Sequence, residues 1–215
     1  MNDEERRQKL ELLKKSGFEP VHMAYTFEDF EVTGPTKNNY DACRAFVENP
    51  LNLYVYGPAG NGKTRLAITA IKNRLLKYAD EYGRVIFWED FKNAVMADMR
   101  NDSTEYIDSL ARRKCLLIDD IFRNGVNETT KAAIIRLFEK WGNHGKKKLI
   151  VTSNKDIEQL SKILEDDRAV SRTVGLFDMI IENAGEDYRV RNLKEKVVKA
   201  GQDFNARAVS LGVMK

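Results

Sequence analysis

Residues Gly57 to Thr64 read GPAGNGKT and fill every fixed position of the pattern GxxxxGK[ST]. Each residue type there has a physical use. Gly57, Gly60 and Gly62 let successive backbone N–H groups turn inward around phosphate oxygens, a concavity that a Cβ would obstruct. Pro58, Ala59 and Asn61 complete the turn, and Arg65 follows it. Lys63 can reach the β- and γ-phosphates of a nucleotide, and the Thr64 hydroxyl can ligate Mg²⁺. A second set of chemically able residues is Cys115-Leu-Leu-Ile-Asp119-Asp120, an apolar run ending in two carboxylates. Asp119 suits a place beside Mg²⁺, and Asp120 can orient and polarise an attacking water. A third is Leu149 to Asn154, LIVTSN, whose terminal amide could hydrogen-bond a γ-phosphate or the lytic water. Ser-Asn is equally ordinary turn and helix-cap chemistry. A fourth is Asp167 to Arg172, DRAVSR, which places Arg168 and Arg172 four residues apart on one helical face. A guanidinium can stabilise charge developing on a γ-phosphoryl group. Glu165, Asp166 and Asp167 offer the alternative of a salt-bridged surface.

Positioning these groups requires particular elements. Leu51 to Tyr56 reads as a strand, and Arg65 to Tyr78 carries Leu66, Ile68, Ile71, Leu75 and Leu76 at helical spacing. Strand, glycine loop and helix is the order that aims a helix N-terminus at an anion. Further strands are expected over Arg84 to Trp88, Lys114 to Ile118, Leu149 to Thr152 and Phe177 to Ile181. Helices are expected over residues 3–15, Asn39 to Glu48, about Glu89 to Arg100, Thr129 to Trp141 and Ile157 to Ile163. The stretch Gly17 to Asn38 reads as irregular, with the aromatic pair Phe27 and Phe30. Alternating strands and helices imply an α/β fold, a parallel sheet with helices on both faces. Right-handed crossovers then gather the loops that follow the strands on one edge, where a nucleotide would sit.

The bulk numbers set limits. At 215 residues one domain with short appendages is the expected plan. No stretch approaches the roughly 20 apolar residues needed to cross a bilayer, so no membrane association is expected. The first residues, MNDEERRQKLELLKK, are too charged for a secretory signal. Two cysteines, Cys43 and Cys115, and two histidines, His22 and His144, cannot build a disulfide framework or a zinc site, which fits a cytoplasmic setting. The net charge of +3 is too small to announce a nucleic-acid partner. Arg112–Lys114, Lys146–Lys148 and the segment from Arg189 onward are basic, compatible with a phosphate backbone and equally with solvated faces.

The motifs in this order resemble the AAA+ ATPases, more closely the small DnaC/IstB-type branch, whose core is similar to the ATPase core of the initiator DnaA. The resemblance spans Tyr25 to Arg191 and includes TFEDF at Thr26–Phe30, the glycine loop, LLIDD, TSN, DRAVSR and Asp187-Tyr-Arg-Val-Arg191. It implies a three-layer αβα sandwich around a five-stranded parallel sheet, with the lid reduced or absent. It divides the chain into a short helical and irregular segment over 1–48, an ATPase domain over 49–190 and a helical tail over 191–215. By the same resemblance Lys63 and Thr64 hold ATP and Mg²⁺, Asp119 supports the metal, and Asp120 is the catalytic acid position. Asn154 would be sensor 1, and Arg172 an arginine finger acting on the adjacent subunit's ATP, with Arg168 assisting. Arg189 best matches the late arginine of sensor 2, ahead of Arg191, and Phe27 and Phe30 would lie near the adenine. DNA contacts in this branch come partly from the region matching about Asp90 to Asp108.

Two departures stand out. The branch usually carries an arginine before the sensor strand, where this chain has Trp141-Gly-Asn-His144. Only about 50 residues precede the loop strand, so the larger helicase-docking domain of many loaders is expected to be missing. The implied function is an ATP-dependent replication protein like a DnaC-type helicase loader, with single-stranded DNA, a replicative helicase and further copies of itself as partners. The alternatives are an IstB-type transposition helper, which would favour duplex DNA, and a non-hydrolysing module whose shape ATP sets. A small-molecule kinase would need an acceptor site, and no motif marks one.

Overall fold

The computed structural model describes residues 2–78, 82–143, 147–188 and 190–191. In chain order these residues form α1 (Asp3–Lys15), a 3₁₀ turn at Pro20–Ala24, α2 (Gly34–Glu48), β1 (Asn52–Tyr56), α3 (Lys63–Lys77), β2 (Gly83–Phe87) and α4 (Trp88–Arg100). Next come α5 (Glu105–Ala111), β3 (Cys115–Ile121), α6 (Glu128–Gly142), β4 (Lys148–Ser153), α7 (Ile157–Leu164), α8 (Asp167–Gly175) and β5 (Met179–Glu182). The strands make one five-stranded sheet in the order β2-β3-β4-β1-β5, and every pairing is parallel. The chain is thus the α/β sandwich expected from its pattern.

Side chains alternate between two apolar layers, as period-2 strands require. Leu53, Val55, Val85, Leu117 and Ile150 face α2 and α3, packing with Phe46, Leu66 and Ile71. Tyr54, Ile86, Leu116, Ile118, Leu149 and Val151 face the opposite layer, with Trp88, Phe91, Ile134, Leu137 and Leu160. A sheet covered on both faces explains why Cys115–Ile118 is uninterrupted apolar sequence. The residues before β1 belong to the same core, since Phe18, Phe27 and Phe30 are buried in the α3 layer.

Several boundaries differ from the sequence reading. Helix α2 starts at Gly34, five residues early, because Pro35 falls in its first turn, where a missing N–H costs nothing. Trp88 opens α4 instead of closing β2, and Phe177 precedes β5, its ring 5.3 Å from that of Tyr54. The short α5 has no counterpart in the reading. Most consequential is β3, which runs on through both aspartates to Ile121.

Candidate functional site

The glycine loop joins the end of β1 to the start of α3, and the Gly57 N–H donates to the Ser153 carbonyl at 3.2 Å. Gly57, Gly60 and Gly62 all have positive φ, at 142°, 76° and 91°. A Cβ on Gly60 would stand 2.1 Å from the Asp187 carboxyl, and one on Gly62 would stand 2.6 Å from the Phe30 ring. Gly62 caps α3 without a side-chain acceptor, so the first N–H groups of that helix are left for an anion. Asn61 pins the loop from beneath. Its amide donates to the Asn183 carbonyl, and the Asn183 amide donates back to the Asn61 carbonyl at 2.9 Å. Lys63 is buried and curls over the loop, donating to the carbonyls of Gly57 at 2.8 Å and Pro58 at 2.7 Å, and to Asn154 Oδ1 at 3.1 Å.

The two carboxylates come to the same edge. Register between β3 and β4 shifts between Ile118 and Ile121, and Asp120 adopts φ 58°. Such a bulge re-aims side chains, here sending adjacent aspartates into different surroundings. Asp119 is 5% exposed and accepts from Thr64 Oγ1 at 2.8 and 3.0 Å and from Thr152 Oγ1 at 2.6 Å. Burial pushes its carboxyl above the usual range, while the hydroxyls of Thr152 and Thr64 pull it back. Thr152 Oγ1 also accepts the Asp120 N–H at 2.8 Å, so one hydroxyl fixes both acids. Asp120 Oδ1 accepts from Asn154 Nδ2 at 3.0 Å, and its Oδ2 accepts from Arg123 at 3.0 Å. Lys63, Asn154 and Asp120 therefore form one continuous chain of side-chain contacts.

Beside the loop lies a cleft of about 590 Å³, lined by Tyr25, Phe30, Glu31, Arg65, Tyr188 and Arg191 among others. The Arg65 guanidinium sits 5.5 Å over the Tyr25 ring and donates to the Asp29 carbonyl at 3.0 Å. Phe30 lines the cleft, and Phe27 does not. It packs inward, edge-on to Tyr40 at 5.6 Å and beneath Arg44, because that side of the segment seals the core over α3. Lys72 was not singled out by sequence. Buried in α3, it donates to the carbonyls of His22 at 3.2 Å, Met23 at 2.9 Å and Tyr25, so it holds the cleft's Tyr25 wall. Arg191 pairs with Glu31 and stacks 4.8 Å over Tyr188. Arg189, the sequence choice for sensor 2, lies outside the described residues, as do His144 and residues 192–215.

Arg172 is not gathered into this cluster. It lines a separate cleft of about 870 Å³ with Asn52, Lys147 and Asp178, which stand where β1, β4 and β5 begin. That is the sheet edge opposite the glycine loop. Its guanidinium donates to Glu139 at 2.6 Å, and Arg168 is exposed on the same helix. Trp141, standing where the branch usually has an arginine, is buried in the core.

These residues fit a nucleoside triphosphate with Mg²⁺. Cβ atoms would fill the loop's cradle, and a hydroxyl beside a carboxylate is hard-oxygen chemistry. Among the described residues no group of three or more His, Cys, Asp or Glu could hold a metal ion. No helix among them is long and apolar enough to cross a membrane. A parallel sheet of this order with a glycine loop, paired acids and a strand ending in Thr-Ser-Asn on one edge defines a P-loop protein of the AAA+ type. The chain belongs to the bacterial DnaA ATPase-domain family, whose description, "Bacterial DnaA ATPase domain", matches residues 21–178.

The relatives agree. The chromosomal replication initiator protein DnaA of Limosilactobacillus reuteri is 30% identical over 184 residues, covering 83% of this chain and 41% of that protein. This chain thus spans less than half the length of that relative. The structure of AMPPCP-bound DnaA from Aquifex aeolicus superposes with a TM-score of 0.63 at 25% identity, covering 85% of this chain and 56% of that one. The DnaC helicase loader shares the fold with a TM-score of 0.63 at 17% identity, over 77% of this chain and 99% of that one.

Proposed function

We propose that this protein binds Mg²⁺-ATP in the loop cleft and hydrolyses it at the junction between two copies, driving a loader-like step in DNA replication. The observation that supports this most directly is the chain Lys63–Asn154–Asp120, which links the phosphate-binding lysine to the carboxylate that would meet water. The loop N–H groups and Lys63 hold the triphosphate, and Thr64 with Asp119 holds Mg²⁺. Bound there, Mg²⁺ would neutralise phosphate charge. Asp120 orients and polarises a water and takes up its proton as the water oxygen bonds to the γ-phosphorus and the bond to the bridging oxygen breaks, releasing ADP and phosphate. Asn154, donating to Asp120 and accepting from Lys63, senses whether the γ-phosphate is present. Arg172, on the far edge, serves the ATP of a neighbouring copy.

Replication is the setting the family indicates. Single-stranded DNA and a replicative helicase are the partners of this reading, and DnaC supplies its functional analogy. The test separates binding from hydrolysis. Lys63→Ala should weaken ATP binding at least about a hundredfold, the scale of removing buried charge-assisted hydrogen bonds. Arg172→Ala should bind ATP like the parent and lose about a thousandfold of the hydrolysis seen with DNA present, the scale of an arginine finger. Co-purification with and without ATP identifies the retained partner. Background turnover with DNA and partner present would favour a module whose shape ATP sets.

A further inference from the structure

Arg123 stands three residues after Asp120 in the loop between β3 and α6, and no motif accounts for it. The local backbone brings it back to the acid. Asp120 and Phe122 both have positive φ, 58° and 63°, and the Arg123 N–H donates to the Asp120 carbonyl at 3.2 Å. Phe122 anchors this turn, buried with its ring edge-on to Trp88 at 5.3 Å. The guanidinium then donates to Asp120 Oδ2 at 3.0 Å, opposite the Asn154 amide on Oδ1.

We propose that Arg123 is a positioning residue for hydrolysis, fixing the Asp120 carboxylate in the orientation that meets water. The proposal rests on the role given to Asp120 above. Asn154 alone holds one oxygen and leaves the carboxyl free to turn about that contact; a second donor on the other oxygen removes the freedom. The pair adds little to folding, because the Arg123 side chain is 62% exposed and that of Asp120 24%. Its value lies in geometry, where small misplacements of a catalytic group cost rate. The substitution Arg123→Lys would keep the charge but not the planar fork, so a lysine there should position the acid less well.

The experiment compares Arg123→Ala, Arg123→Lys, Asp120→Asn and the double variant Asp120→Asn/Arg123→Ala in the full chain. Arg123→Ala should lower kcat about tenfold with KM for ATP and the melting temperature unchanged, and Arg123→Lys should recover part of the loss. In the Asp120→Asn background Arg123→Ala should have no further effect, since it acts only through the carboxylate. Without nucleotide, the Arg123 Nε–H resonance, identified by its loss in Arg123→Lys, should move in Asp120→Asn. A kcat at or above the parent's in Arg123→Ala, or an equal loss in the Asp120→Asn background, would overturn the proposal. Parent-like hydrolysis by Asp120→Asn would instead remove the role of Asp120 itself, a distinct result.

Discussion

At the edge where the strands end, Lys63, Asn154, Asp120, Thr152, Asp119 and Thr64 form an unbroken set of hydrogen bonds. At the edge where they begin, Arg172 makes an ion pair with Glu139 in which the two side chains are 67% and 40% exposed. The first arrangement is preorganised, each group holding the next around the buried Lys63, Asp119 and Thr152. The second is loose, a long cation beside a wide cleft with a partner that is easily exchanged. The contrast suggests that one edge is a site assembled within the chain and the other a contribution to a site assembled between chains.

Three substitutions probe that contrast, from the largest effect to the smallest. Thr152→Val keeps the shape but removes the hydroxyl that serves both acids, leaving the buried Asp119 carboxylate with Thr64 as its remaining hydroxyl donor and the Asp120 N–H without its acceptor. It should cost about 1–3 kcal/mol of stability by denaturant titration and lower hydrolysis at least about tenfold. A parent-like Thr152→Val would mean that the knit edge is not held by this hydroxyl. Asn183→Ala removes one half of the reciprocal pair under the loop. It should cost about 1 kcal/mol and weaken ATP binding severalfold by calorimetry, with kcat less affected. Glu139→Gln loosens the other edge. It should change stability by less than about 1 kcal/mol, since exposed pairs contribute little, and should leave ATP affinity unaltered. A large stability loss there would show that Arg172 is a structural anchor.

Much of the first edge was legible because its chemistry needs fixed residue types. Only glycines allow the loop's backbone, and the lysine, hydroxyl and carboxylate follow at set distances along the chain. The parallel sheet was legible from apolar runs covered on both faces. The missing parts depend on contacts between distant segments or on local conformations that residue type does not dictate. Aspartate enters the positive-φ region more readily than most residues but far from always, so LLIDD alone does not reveal the bulge at Asp120. Asn183 and Lys72 look like ordinary polar residues until the fold sets them against Asn61 and the carbonyls of His22, Met23 and Tyr25. The seven-residue α5 is too short for periodicity to register. Phe27 and Phe30 share one motif, yet three residues of separation in an irregular segment sent one inward and the other to the cleft.

The most direct test is whether the two edges complete one another across copies. Lys63→Ala chains keep Arg172 but cannot hold ATP, and Arg172→Ala chains hold ATP but lack the guanidinium. Each should be inactive alone in a hydrolysis assay with single-stranded DNA. Mixed in equal amounts, they should regain a substantial fraction of parent activity, because some junctions then combine an intact loop with an intact Arg172. A mixture that stays at background, or Arg172→Ala chains that hydrolyse ATP like the parent by themselves, would contradict a site shared between subunits.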